Sequence, residues 1–291
     1  METIEQYYTP STLAEAVQLL ADCEGNATLL AGGTDLMNQV NAGAKTIAAN
    51  FINIKRIEEL NGITMTDNKI RIGALTSITA ILQSNLIKEQ ASILSDTADA
   101  FASGQIRNSA TIGGNLCNAS PAGDGCIPLL ALDAEVGLSS FSDGKVSTRL
   151  LPLKDFFVGP GRSQCQANEI LSFVEFDAKP EGVGFFEKFG TRPALDISIV
   201  SIGFHASKND DTLSDVRIAL GAVGPTPLRA YETEKAIENK TLSELTPEFI
   251  ASVEETIAQE ISPISDVRAS DWYRKEMVSK LLKRILNYVA S

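Results

Sequence analysis

The chain has 291 residues, 44% of them apolar and 21% charged, long enough for two compact domains and ordinary for a soluble globular protein. Its formal charge of −12 lacks the basic footprint that nucleic acid or an anionic lipid surface requires, so a polyanionic ligand must be held by local devices such as backbone N–H groups. No apolar run reaches the roughly 18 residues of a membrane span, and Met1-Glu2-Thr3-Ile4-Glu5 lacks the basic and apolar regions of a signal peptide, so the expected address is the cytoplasm.

Thr12-Leu13-Ala14-Glu15 has capping-box spacing, and Leu13, Ala16, Val17 and Leu20 follow on one helical face that Gly25 can end. Ala27 to Ala31 reads as a buried strand, Gly32-Gly33 as a turn, and Thr34 to Met37 as a helix start. Phe51 to Ile54 and Ile70 to Ile72 read as strands, with helices over Ser77 to Leu82 and Ala91 to Phe101, so the first half alternates α and β elements. A second glycine-rich stretch, Thr111-Ile112-Gly113-Gly114-Asn115, runs on through Ala122-Gly123-Asp124-Gly125 into apolar Ile127 to Leu132.

From there the pattern turns β-rich. Ala134 to Ser139 and Lys145 to Arg149 flank a Ser142-Asp143-Gly144 hairpin turn. Glu169 to Phe176, Gly184 to Phe189, Ile197 to Phe204 and Val216 to Val223 read as strands, the last two joined through Lys208-Asn209-Asp210-Asp211. Lys179-Pro180-Glu181-Gly182 is the expected domain boundary, and helices are predicted at Tyr231 to Glu238, Pro247 to Gln259 and Asp271 to Val289.

The reactive side chains are few. Cys23, Cys117, Cys126 and Cys165 are 94, 9 and 39 residues apart with no C-x-x-C pair, which argues against an iron–sulfur or zinc site. The single histidine, His205, removes Ser-His-Asp, Cys-His and His-rich metal readings. If the chain is an enzyme, a bound cofactor carries its chemistry.

A diphosphate needs converging N–H groups, and Gly32-Gly33 between strand and helix removes the Cβ atoms that would block its approach, with Thr34 as a further donor. The same pair also reads as a plain tight turn, and it does not match G-x-G-x-x-G spacing. Asp35 would repel phosphate unless its side chain turned to cap its own helix. Gly113-Gly114-Asn115 and Asp124 offer a second cradle, with an amide and a carboxylate suited to ribose or ribityl hydroxyls. Two such loops, roughly 80 residues apart, suit a long ligand with a central diphosphate.

The stretches Leu29-Leu30-Ala31-Gly32-Gly33-Thr34-Asp35-Leu36 and Gln105-Ile106-Arg107-Asn108-Ser109-Ala110-Thr111-Ile112-Gly113-Gly114-Asn115 closely resemble the FAD-binding subunit of the molybdenum hydroxylases, a family that includes xanthine, nicotinate and carbon monoxide dehydrogenases. Arg217 to Arg229, with Gly221, Gly224, Pro225 and Pro227, and Val267-Arg268-Ala269-Ser270 resemble its carboxyl-terminal domain, so the resemblance covers essentially the whole chain. It implies an α+β protein: a two-subdomain FAD-binding fold of the vanillyl-alcohol-oxidase/CO-dehydrogenase flavoprotein type over 1–55 and 56–178. A small α+β domain over 182–291 would follow, with a three-stranded antiparallel sheet plus helices.

The resemblance further implies that Leu29 to Leu36 wrap the FAD diphosphate, while Thr111, Gly114, Asn115 and Asp124 hold diphosphate, ribityl and ribose groups from the other side. Phe101, Ala102, Leu171 and Lys188 match positions at the flavin. Lys188 reads either as a cation that stabilises reduced flavin or as a solvated strand lysine. Phe101 reads also as core packing, and Cys117 either lines the flavin pocket or is a small buried thiol. His205 reads as a satisfied edge histidine, and the acidic surface as an aid to solubility or to docking a partner.

As in its relatives, the chain is expected to take electrons from [2Fe–2S] clusters on a small subunit, fed by a molybdopterin centre on a large subunit, and to pass them as hydride to NAD⁺. Ala222 to Pro227 and the Gly159-Pro160-Gly161 turn look closest to xanthine dehydrogenase flavin subunits. The cysteine spacing offers no insertion for a [4Fe–4S] cluster. Two further expectations stand beside this one: a free-standing FAD-dependent oxidase or reductase, disfavoured by the shortage of acid–base residues, and a non-catalytic flavin-binding scaffold or redox sensor.

Overall fold

The computed structural model describes residues 4–192 and 195–291. Met1 to Thr3, part of the stretch read above for targeting signals, and Pro193 and Ala194 lie outside the described residues.

The chain opens with strand β1 (Gln6–Tyr8), helix α1 (Leu13–Asp22), β2 (Ala27–Leu30), α2 (Leu36–Asn41) and β3 (Asn50–Asn53). The predicted capping box is present at Thr12 and Glu15, a device worth about 1 kcal/mol, and it starts α1 where the apolar stripe begins. Ala16, Val17 and Leu20 bury that stripe against Ile52, Ile54 and Ile57. The three strands are parallel in the order β1-β3-β2. β2, read above as buried, is half-buried throughout, because it lies at the edge of this small sheet.

Next come β4 (Ile63–Thr66), β5 (Lys69–Gly73), α3 (Ile78–Gln83), α4 (Asn85–Gln90), α5 (Ser92–Ala100), α6 (Gly104–Ser109), α7 (Ile112–Asn118) and α8 (Cys126–Ala131). The chain then returns through β6 (Glu135–Ser142), β7 (Lys145–Pro152), α9 (Leu153–Phe156), β8 (Phe157–Gly159), β9 (Arg162–Ser163) and β10 (Glu169–Asp177). The predicted hairpin joins β6 to β7, with Asp143 at φ 53° and Gly144 at φ 75° as a turn of primed type requires. These strands form an antiparallel five-stranded sheet, β4-β5-β10-β6-β7, backed by a large apolar cluster. The second glycine-rich stretch, read as a loop, is helix α7: Thr111 caps it, and its apolar residues Ile112 and Leu116 face the core.

The last part holds β11 (Gly182–Phe189), β12 (Val200–Asn209), β13 (Thr212–Gly221), β14 (Leu228–Arg229), α10 (Tyr231–Ile237), α11 (Pro247–Gln259) and α12 (Asp271–Val289). The antiparallel sheet has a fourth strand beyond the three expected, because Leu228–Arg229 folds back onto Ala219 and Leu220. Helix α8 packs onto this sheet so closely that a Cβ at Gly203 would sit 2.9 Å from Ile127 Cγ2, and one at Gly221 3.0 Å from Ile127 Cδ1. The two sheets are therefore joined through α8, which fixes β12 and β13 against the region between α7 and α8.

Candidate functional site

The first glycine turn connects β2 to α2. Among the described residues, the backbone N–H groups of Gly32, Gly33, Thr34, Asp35 and Leu36 donate to no protein acceptor, so five consecutive donors are free at one turn. Asp35 occupies the N-cap position without capping; its carboxylate instead accepts from the Gln39 side-chain amide along α2. The Thr34 carbonyl accepts from Asn38 Nδ2 at 2.8 Å, which stiffens the same turn from below. Leu29, Leu30 and Ala31 are half-buried behind it.

This turn lies directly against the segment that leads into α7. A Cβ on Gly32 would stand 2.2 Å from the Ser109 carbonyl oxygen and 3.2 Å from Ala110 Cα, so only glycine permits the approach. Thr111 caps α7 by accepting from Gly114 N–H at 3.1 Å. The expected second cradle of free amides is not present. Ile112 N–H donates to Thr76 O at 3.1 Å, Gly113 N–H to Ala74 O at 2.9 Å and Asn115 N–H to Thr111 O at 3.0 Å. Gly113 serves packing, since its Cβ would lie 2.6 Å from Ala74 Cβ. What α7 offers a ligand is the exposed backbone at Gly114 and the amide of Asn115, whose Oδ1 lies against the Gly123–Gly125 turn.

That turn carries Asp124, buried at 8% exposure. Its Oδ1 accepts from Ser198 Oγ at 2.6 Å and its Oδ2 from Lys188 Nζ at 2.9 Å. Lys188 is thus neither a solvated strand lysine nor an unpaired cation. It is committed to a carboxylate, with the Asp196 carbonyl 3.5 Å away. Asp35 is turned along α2 to Gln39, and the charge of Asp124 is offset by Lys188.

Phe101 ends α5 and lies with Ile78, Ile81, Leu94, Ile112 and Gly125 around a small apolar cavity, which joins the core-packing and site readings. Ala102 holds φ 37°, a left-handed conformation that a non-glycine residue seldom adopts without local support. Arg107 supplies it: Nη1 donates to Asp99 O, Phe101 O and Ala102 O at 3.2, 2.8 and 3.1 Å. Leu171 is buried at 4% exposure, next to a bulge in the pairing of β10 with β6.

Sequence reasoning did not find Arg107 or Ser198 as site residues. Arg107 lay within the stretch that carried the resemblance, but nothing local says that it braces Phe101. Ser198 has no sequence signal.

Two other readings change. Cys117 was expected as a small buried thiol in a packed loop; the last turn of α7 leaves it exposed. His205 is not a satisfied edge histidine. It lies in β12, an interior strand, at 3% exposure, and neither ring nitrogen has a hydrogen-bond partner. Burial pulls its pKa down to about 4, assisted by Lys179, Arg217 and Arg229 and opposed by Asp215, so the ring is neutral near pH 7 and takes no part in the site.

The arrangement fits a diphosphate-bearing dinucleotide such as FAD: a strip of free amides, a neighbouring helix with amide side chains, and an apolar wall at Phe101. Among the described residues no group of three or more His, Cys, Asp or Glu could hold a metal, and no helix is long and apolar enough to cross a membrane.

Comparison with known proteins bears on the same residues. Residues 2–176 match the FAD binding domain in molybdopterin dehydrogenase, and residues 185–289 match the CO dehydrogenase flavoprotein C-terminal domain. The chain is 33% identical to the xanthine dehydrogenase FAD-binding subunit of Escherichia coli O157:H7, over 97% of this chain and 94% of that protein. It is also 33% identical to the nicotinate dehydrogenase FAD-subunit of Eubacterium barkeri, over 96% of this chain and 94% of that one. Among solved structures it resembles a chain of carbon monoxide dehydrogenase from Hydrogenophaga pseudoflava, with a TM-score of 0.91 and 28% identity, covering 99% of this chain and 97% of that one.

Proposed function

The chain belongs to the FAD-binding subunits of the molybdenum hydroxylases, flavoproteins of multi-subunit oxidoreductases, and from that premise we propose that it is the electron exit of such an assembly, delivering a pair of electrons to NAD⁺. It would receive them from [2Fe–2S] clusters on a small subunit, supplied by a molybdopterin centre on a large one. FAD, when bound, supplies the change from single-electron to paired transfer, which no side chain of this protein performs.

The observation that carries the reading is the run of free N–H groups from Gly32 to Leu36, set against Ser109 and α7. In this reading the five amides hold the diphosphate, with Leu29, Leu30 and Ala31 as the strand behind them. Thr111, Gly114, Asn115 and Cys117 form the facing wall. Phe101, Ala102 and Leu171 bound the ring system. Asp124 and Lys188, locked together, close the site from the carboxyl-terminal sheet and leave no net charge beside the flavin.

The division of labour follows the same boundaries: residues 1–55 and 56–178 form the two halves of the cofactor unit, and 182–291 the carboxyl-terminal domain. We place the assembly in the cytoplasm, in keeping with four free cysteines. Likeness to the xanthine dehydrogenase subunit supports a xanthine-type enzyme. The nicotinate relative shares the same 33% identity, in keeping with a substrate specified on another chain.

The test is an anaerobic titration of the full chain, reconstituted with FAD, against NADH, following flavin absorbance at about 450 nm, the band that reports the cofactor's redox state. Bleaching is expected. FAD retained without bleaching would overturn the NAD⁺ assignment, and a chain that takes up no FAD would overturn the site.

A further inference from the structure

Phe101, Ala102 and Ser103 are the whole connection between α5, which ends at Ala100, and α6, which begins at Gly104. So short a link must satisfy two helix ends at once. Ser103 Oγ accepts from Ile106 N–H at 3.2 Å and starts α6. At the other end, the carbonyls of Asp99, Phe101 and Ala102 all accept from Arg107 Nη1, at 2.8 to 3.2 Å. The guanidinium therefore stands where the carbonyl end of α5 is most negative.

The turn it holds is one that alanine resists. At φ 37° Ala102 is in the left-handed region, where its Cβ crowds the backbone at a cost of roughly tenfold in population. Helix α6 cannot move to relieve the turn, because its far end is pinned. Thr79 Oγ1 donates to Asn108 Oδ1 at 2.7 Å, Ile78 N–H donates to Ala110 O at 3.0 Å, and Gly32 packs on the Ser109 carbonyl. A change at Ala102 then falls on Phe101, the half-buried ring that lines the apolar cavity with Ile112 and Gly125. Through Ser109 at one end and Arg107 near the middle, α6 links the glycine turn to the apolar wall.

We propose that Arg107 is a positioning residue of the cofactor site: it holds the left-handed turn at Ala102 and so sets the place of Phe101 relative to the free amides of Gly32 to Leu36. The inference rests on the flavin reading, in which those amides hold the diphosphate while Phe101 and Ala102 bound the ring system. Arg107 acts through Phe101 and Ala102, and not through its charge on the diphosphate.

The experiment is a double-mutant cycle on the full chain. Arg107→Met is made with the native alanine and with Ala102→Gly, since glycine takes the left-handed conformation without a brace. FAD affinity is read by fluorescence quenching, and the environment of the ring by the fine structure of the bound flavin absorbance band. With alanine at 102, Arg107→Met is expected to weaken FAD binding by about tenfold and to blur the band at saturating FAD. In the Ala102→Gly background the same substitution is expected to cost less than about twofold and to leave the band as it was. Arg107→Lys keeps the charge but offers one point in place of a planar fork, and is expected to follow Arg107→Met in direction in both backgrounds. Equal losses in the two backgrounds, or full retention of affinity by Arg107→Lys, would overturn the proposal, because charge and not the turn would then carry the effect. So would an Arg107→Met chain that binds FAD as the parent does.

Amide exchange over residues 101–104, measured by mass spectrometry without FAD, reads the turn by itself. Arg107→Met is expected to speed it with alanine at 102 and to change it little in the Ala102→Gly background; unchanged exchange with alanine would refute the brace. A parent chain that takes up no FAD would instead overturn the flavin reading, and the exchange measurement tells the two failures apart.

Discussion

Lys188 Nζ, on strand β11, lies 2.9 Å from Asp124 Oδ2, on the turn before α8, and both side chains are largely shielded from water, at 14% and 10% exposure. One ion pair therefore bridges the carboxyl-terminal sheet and the glycine-turn region. Replacing one partner strands the other as a buried charge. Lys188→Met is expected to cost about 3 kcal/mol of unfolding free energy. The double variant Asp124→Asn/Lys188→Met should recover most of that loss. Chemical denaturation of the three proteins checks this, and a double variant no more stable than Lys188→Met would refute it.

The contact between Gly32 and Ser109 makes a second prediction. A methyl group at Gly32 would overlap the Ser109 carbonyl, and backbone on both sides leaves it no room. Gly32→Ala should cost about 2 kcal/mol as the two turns are forced apart. It should also weaken FAD binding by about tenfold, because the five amides shift with the turn. Gly104→Ala, where a Cβ meets nothing within 4 Å, serves as the control and should bind as the parent does. Flavin fluorescence quenching measures both.

His205 gives a pH dependence whose sign is fixed by its burial. Its folded pKa, about 4, lies below the ordinary 6.5, so the unfolded chain binds the extra proton first. The stabilisation is complete above pH ~6.5 and is lost progressively as pH falls toward 4, amounting to about 3 kcal/mol if fully expressed. Denaturant midpoints at intervals between these limits should show this slope, and His205→Leu should flatten it. An unchanged slope in the variant would assign the effect to carboxylates instead.

Arg274, on α12 at 3% exposure, is a fourth test. Its guanidinium donates to the carbonyls of Ile199 and Ala222, the latter at 3.0 Å, and to Asp266 Oδ1 at 2.7 Å. It thereby joins the residue before β12, the turn after β13 and the Val267 to Ser270 stretch, where Asp266 also accepts from Arg268 N–H and Ser270 caps α12. Arg274→Lys offers one point charge in place of a planar fork and should cost about 2 kcal/mol, with Arg274→Met costing more. Thermal melting of the full chain would detect either, and a parent-like melt for Arg274→Met would contradict the argument.

The sequence by itself determined whatever depends on near neighbours. The capping box at Thr12 and Glu15, the Asp143-Gly144 hairpin, the Thr246-Pro247 start of α11 and the apolar period of α12 are decided by residues within a turn or two of one another, and each element appears where its signals stand. Glycine at 32 and 33 announced a tight turn, and the wider pattern of residues announced the family.

Only the tertiary structure decided which groups are left free and which are taken. The amides of Ile112 and Gly113 look as available in sequence as those of Gly32 and Gly33, yet they are bound by Thr76 and Ala74, from a strand end nearly forty positions earlier. Lys188 reads as any strand lysine until the fold brings Asp124 beneath it. The end of α7 meets the β8–β9 hairpin through Gly161 N–H and the Ala119 carbonyl, a contact that no local spacing announces. A hydrogen-bond partner distant in the chain leaves no periodicity to read, so availability, charge and reactivity at this site were set by the packing of α7, α8 and the carboxyl-terminal sheet.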